Sequence, residues 1–164
     1  MSTKTAGETS QHAALQFAQL NEYIYIGGRI CCPDHLSGEL LSRGVRGIIS
    51  LELLDQSIPA GIDYYFWLPW PAKTAPALEL VDIGVRVIET LIQWDVKMYI
   101  QCGSGNSRAS LLAAAYYMHK NDIKAKEALA KVKEKHPSTD LQPPQMQFLR
   151  AFETQRGWRQ SFTL

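Results

Sequence analysis

The stretch Lys97–His119, KMYIQCGSGNSRASLLAAAYYMH, decides the fold. Its apolar start, Met98 to Ile100, reads as a buried strand. The Gly- and Ser-rich turn that follows cannot extend it, and an alanine-rich helix begins near Arg108. Strand, tight loop and helix form the layout that turns backbone N–H groups towards an anion. Cys102 stands at the mouth of the loop, Arg108 at its far end, and between them Gly103, Ser104, Gly105, Asn106 and Ser107 have side chains small enough for the backbone to curl around a phosphate or sulfate. The helix N-terminus carries about half a positive charge, and with Arg108 beside it favours the ionised sulfur of Cys102. The planar fork of Arg108 can hold two oxygens of one phosphate. The Cys-x5-Arg spacing alone is weak evidence, because a buried Cys at a strand end is commonly a small hydrophobe. The strand before it, the Gly within it and the helix after it make it an anion loop.

Outward from this stretch the chain alternates strands and helices. Upstream, Ala77 to Trp94 carries Leu80, Ile83, Val87, Ile88 and Leu91 at helical spacing. Pro69-Trp70-Pro71-Ala72-Lys73-Thr74-Ala75-Pro76 is too rich in proline for a helix or inner strand and reads as a stiff exposed loop. Asp63–Leu68 and Val45–Leu51 read as strands, and Pro33–Arg43 as a helix stopped at Gly44. Glu22–Ile26 reads as a strand ended by Gly27-Gly28, His12–Leu20 as a short helical turn, and Met1–Gln11 as a frayed polar end. Downstream, Lys124–Lys135 and Pro144–Thr154 read as helices; the basic run on the first is a solvated face. The order predicts an α/β fold, a central and mostly parallel sheet of four to five strands flanked by helices. The loop then lies at the carboxyl end of a strand, where such sheets bind ligands.

Composition narrows the function. With 164 residues and a formal net charge of +1, the chain offers no electrostatic reason to bind nucleic acid or an anionic membrane. No apolar run approaches the ~20 residues of a membrane span, and MSTKTAGETSQ lacks the apolar core of a signal peptide, so the expected location is cytoplasmic. Three cysteines, two of them adjacent at Cys31 and Cys32, form no disulfide framework. Those two read as structural, with a resolving partner for oxidised Cys102 as the alternative. No His/Cys cluster at ligand spacing is apparent, so neither a metal nor another cofactor is expected. Nothing points to an oligomeric state.

The loop resembles the signature of the cysteine-dependent protein phosphatases, and its nearest branch looks like the dual-specificity and small tyrosine phosphatases. The likeness runs from about Leu20 to Glu153 and includes the opening YIYIGG. It implies a polar segment over residues 1–20, partly ordered, followed by a single phosphatase-like domain over 21–164. It also implies hydrolysis of phosphate monoesters, on a phosphoprotein or a small phosphate ester, through a phosphocysteine. Cys102 would be the nucleophile, Arg108 the phosphate and transition-state binder, and the loop amides the cradle.

Three positions depart from the family pattern. The mobile-loop Asp that serves as general acid and base is replaced by Ala72, the His before the cysteine by Gln101, and the Ser or Thr after the arginine by Ala109. Losing a general acid costs about 10²–10⁴ in rate, whereas the anion grip is intact, so the expected site binds phosphate better than it hydrolyses esters. The alternative is a catalytically inactive pseudophosphatase that binds phosphorylated partners. Replacement carboxylates are Glu52, Asp55, Asp63, Glu79 and Asp82, with Asp55 preferred; Ser107 or Ser110 could supply the missing hydroxyl. Gln142 resembles the glutamine that places the hydrolytic water in small family members, and Gln145 is its alternative.

Overall fold

The computed structural model describes residues 14–54 and 58–155. Its strands are β1 (Phe17–Gln19), β2 (Ile24–Gly27), β3 (Val45–Ser50), β4 (Tyr64–Trp67) and β5 (Lys97–Gln101), joined in one sheet in the order β1-β2-β5-β3-β4. The last four of that order run parallel, and β1 lies antiparallel on β2. The expected α/β architecture therefore holds. β5 is central and covered on both faces, which is why it reads as a continuous apolar run. Met98 and Ile100 join the core on one face, Tyr99 that on the other.

Four helices, α1 (Leu78–Gln93), α2 (Arg108–Asn121), α3 (Ala125–Lys135) and α4 (Pro143–Gln155), build the larger core. The alanines of α2 have a packing reason. Ala109, Ala113, Ala114 and Ala115 are fully buried, and small residues let neighbours approach on all sides. At Gly84 of α1, an added Cβ would lie 2.7 Å from Leu112 of α2.

The opposite face departs from the expected Pro33–Arg43 helix. His35–Leu40 is a wide π-helical turn, and Leu41–Arg43 tightens into a 3-10 turn that Gly44 ends at φ +84°. The Leu41 N–H reaches back to Leu36 and Ser37, and the Ser42 hydroxyl donates to the Gly38 carbonyl at 2.6 Å, local bonds that compete with a regular helix. The widened turn keeps Leu36 and Leu40 buried over β3 and β5.

The expected helical turn over His12–Leu20 is corrected. Its residues 12–13 lie outside the described residues, as does Met1–Gln11, expected to be frayed, but Phe17–Gln19 is an edge strand in register with Gly27, Ile26 and Tyr25. Its helix-forming composition yields to the free edge of β2 and to Phe17 packing on Tyr25 with ring centroids 6.3 Å apart. Among the described residues no helix is long and apolar enough to cross a membrane.

Candidate active site

The carboxyl ends of β2, β5, β3 and β4 converge on the loop between β5 and α2. Gly105 takes φ +80°, and a Cβ there would run into the backbone of Gly27 and Gly28. Gly105 is thus required by its close approach to the β2 end, whereas Gly27 is required by Tyr99 and β1, since a Cβ there would run into the Tyr99 hydroxyl. Further bonds fix the wall: Cys102 N–H donates to Gly27 O at 3.2 Å, Arg29 N–H to Gly103 O at 3.2 Å, and the Tyr99 hydroxyl to Gly28 O at 2.6 Å. Burial, and then the neighbouring Cys102, push the Tyr99 phenol far up from its ordinary value, so it stays a donor.

Cys102 is buried at the floor, 1% exposed and in contact with the helical core. Among the described residues, none accepts a hydrogen bond from the backbone N–H of Gly103, Ser104, Gly105, Ser107 or Arg108, while that of Asn106 meets the Ser104 hydroxyl at 3.5 Å. Arg108 returns across the loop. Its Nη1 donates to Leu51 O at 2.7 Å and to Trp70 O at 3.0 Å, and its Nη2 to Glu52 Oε1 at 2.6 Å. That engages three of the five guanidinium N–H groups. The remaining two are one Nη2 hydrogen and Nε–H, and Nε is buried without a partner. Nη2 and Glu52 Oε1 lie 3.5 and 3.7 Å from where a Gly103 Cβ would stand, so the ion pair borders the loop.

The segment after α3 braces the loop from outside. Asp140 N–H donates to Asn106 O at 2.8 Å, the Ser138 hydroxyl to Asn106 Oδ1 at 3.1 Å, and Ser110 bonds Thr139 at 3.0 Å and Gly105 O at 3.4 Å. His136 hydrogen-bonds the Gly105 backbone; burial pulls its imidazole below its ordinary value, partly opposed by that bond. Ser110 is therefore engaged away from the sulfur, which leaves Ser107 of the two hydroxyls expected to serve it. Gln101, buried where a His was expected, accepts from Ile30 N–H at 3.1 Å and donates to Ser50 Oγ at 3.1 Å, tying two strand ends together.

Among the candidate acids, Glu52 is the counter-ion of Arg108 rather than a free donor. Asp63 precedes β4 and sits at the opposite end of the sheet from the loop, which removes it. Asp82 pairs with Arg86 at 3.2 Å, and Glu79 is exposed in the first turn of α1. Asp55 lies outside the described residues. The proline-rich loop does reach the site, through the Trp70 carbonyl on Arg108, and Ala72 is exposed in its turn. Gln142 precedes α4, and its N–H is capped by Gln145 Oε1 at 2.9 Å, the reach-back of a capping box. Gln145 is fully buried, with its amide nitrogen unpaired.

Comparison with known proteins follows this geometry. The family profile for the dual specificity phosphatase catalytic domain matches residues 58–155. The chain belongs to that family. Curated protein sequences give no significant match. Solved structures share the fold. PTPMT1 is 19% identical, with TM-score 0.78 over 90% of this chain and 100% of its own. The active form of Tk-PTP is 22% identical, with TM-score 0.72 over 85% and 97%. A human tyrosine phosphatase-like serine/threonine/tyrosine-interacting protein is 16% identical, with TM-score 0.74 over 84% and 95%. Within this dual-specificity family the sequence found the loop but missed what holds it. Leu51 O, Trp70 O and the Gly27-Gly28 contact are backbone features with no side-chain signal. A cluster outside the loop was also missed: Cys31, Cys32 and His35 bring their ligand atoms within 4.8 Å of one another.

Proposed function

We propose that this chain is a cysteine-dependent phosphoprotein phosphatase, of tyrosine or dual specificity, that works slowly for want of a general acid at Ala72. The observation that carries the reading is the unpartnered Nε–H of Arg108, buried beside a loop whose amides lack acceptors among the described residues. Leaving a buried charged donor unmatched is costly, and a phosphate dianion supplies the missing acceptors to both sets at once. In this reading Gly103, Ser104, Gly105, Asn106 and Ser107 cradle the phosphoryl oxygens, and Glu52 fixes the plane of the guanidinium. The Cys102 thiolate forms a bond to phosphorus as the ester P–O bond breaks, and the leaving oxygen takes its proton from water because Ala72 has none. Water, positioned by Gln142, then attacks the phosphocysteine and releases phosphate and the thiolate. A cytoplasmic location keeps that sulfur reduced.

Turnover of an aryl phosphate with a good leaving group tests this directly. Hydrolysis is expected, and is expected to vanish in Cys102→Ser while phosphate binding persists. Vanadate or phosphate binding without any turnover would make the protein a phosphate-docking module instead. Because a PTPMT1 structure holds PI(5)P, a phosphoinositide belongs beside phosphotyrosine and phosphoserine peptides in the substrate panel.

A further inference from the structure

We propose that Cys31, Cys32 and His35 form a binding site for a soft divalent metal ion such as zinc, separate from the phosphate loop. Cys31 Sγ lies 3.2 Å from His35 Nδ1, and one ligand atom from each of the three residues falls within 4.8 Å of the others. In a tetrahedral zinc site with Zn–S near 2.3 Å and Zn–N near 2.0–2.1 Å, neighbouring ligand atoms stand about 3.5–3.8 Å apart. The three side chains need only small rotamer adjustments to reach that spacing. Two thiolates and an imidazole select zinc or a similar metal over magnesium or calcium, which take oxygen ligands.

The backbone holds the trio together. Leu36 N–H bonds Cys32 O at 3.4 Å, closing an α-type turn just before the π-helical residues that puts His35 four positions on from Cys31 and beside it. Among the described residues three protein ligands leave a fourth position open. It has room, because Cys31 borders two cavities. One, of about 690 Å3, is lined also by Cys32, Leu36 and Gln101; the other, of about 380 Å3, by His35, Gly103, Ser104 and Asn106. Water or a small anion can complete the shell from either. The segment bearing the ligands is bonded to the phosphate loop through Arg29 N–H to Gly103 O and to β5 through Ile30 N–H to Gln101 Oε1. Metal at this site therefore clamps the outer wall of the loop.

The test uses the full chain, reduced and stripped with a chelator, titrated with Zn2+ and separately with Co2+, whose thiolate charge-transfer band reports sulfur ligation. One equivalent is expected to bind, with that band, in both the wild type and Cys102→Ser. Cys31→Ser, Cys32→Ser and His35→Ala should each weaken binding by about 100-fold or more, by analogy with the 10–100-fold losses seen even for outer-shell changes. Cys31 is exposed and the other two partly so, and unchanged circular dichroism would show that each variant keeps its fold. A variant that fails this check is replaced by Cys31→Ala or His35→Gln. Binding that survives the Cys31→Ser/Cys32→Ser double change, disappears only in Cys102→Ser, or is absent altogether would overturn the proposal. Hydrolysis of the aryl phosphate is measured in parallel, so a metal site can fail while the phosphatase reading stands, and the reverse.

Discussion

Two loops meet at the carboxyl ends of the sheet, and they are built to different standards. The phosphate loop, Gly103 to Ser107, is pinned from three sides, by Gly27-Gly28, by Arg29 and by the Asp140 and His136 segment. The proline-rich loop around Ala72 touches the site through one carbonyl, Trp70 O on Arg108, while residues 71–75 stand exposed. In the proposed mechanism the first loop holds amide dipoles around the phosphoryl group, and the second would only bring a proton carrier near. On the proposed phosphatase reading, the contrast separates anion binding from proton transfer, with the parts for the first present and the side chain for the second absent at Ala72.

The sharpest way to break that comparison is Cys102→Ser. It should take aryl phosphate turnover to the uncatalysed level, as loss of a nucleophile does, with phosphate affinity retained by isothermal titration. Next in size, Ala72→Asp should raise kcat by about 10²–10⁴ on phosphotyrosine or an alkyl phosphate and much less on a substrate whose leaving group needs no proton. Equal gains on both would mean that the loop does not supply the acid. Gly105→Ala sharpens the claim that the phosphate loop is over-determined. The left-handed φ alone costs about 1–3 kcal/mol, and the contact with Gly27 adds to it, so denaturant melts should show a loss of at least 3 kcal/mol or so. An alanine tolerated there would show that the close approach is not needed. Glu52→Gln keeps an acceptor for Arg108 but removes its charge, and should weaken phosphate binding about 10-fold with little change in the melting temperature.

The smallest expected effect is one of pH. His136 is held below its ordinary value of 6.5 by burial, so the unfolded chain binds the proton more readily. Stability contributed by the neutral ring is complete above about 6.5 and falls as the pH drops towards the folded value. Denaturant midpoints at pH 7.5 and 5.5 should show that loss, and His136→Gln should flatten it.

Much of this architecture was legible in the sequence because it is local. The apolar run of β5, the small residues after it and the alanines of α2 each follow from near neighbours. Phe17–Gln19 was not legible: its composition favours a helix, and only the open edge of β2, supplied by Ile24–Gly27, makes it a strand. The role of Glu52 was misread for a similar reason. As a carboxylate near a strand end it read as an ordinary surface charge or, less readily, a replacement acid, and only the returning arm of Arg108, 56 residues later, makes it a counter-ion. The Cys31, Cys32, His35 group escaped because separated cysteine pairs are the familiar metal signal, whereas here one turn from Cys32 to Leu36 sets a histidine beside adjacent cysteines.

The hold of the proline-rich loop on Arg108 runs through a main-chain oxygen, and every amino acid carries one. Residue 72 can therefore change identity without loosening the arginine. On the proposed reading, catalysis in such an arrangement could be switched off, and restored, by single substitutions on a scaffold that goes on holding the same charged group.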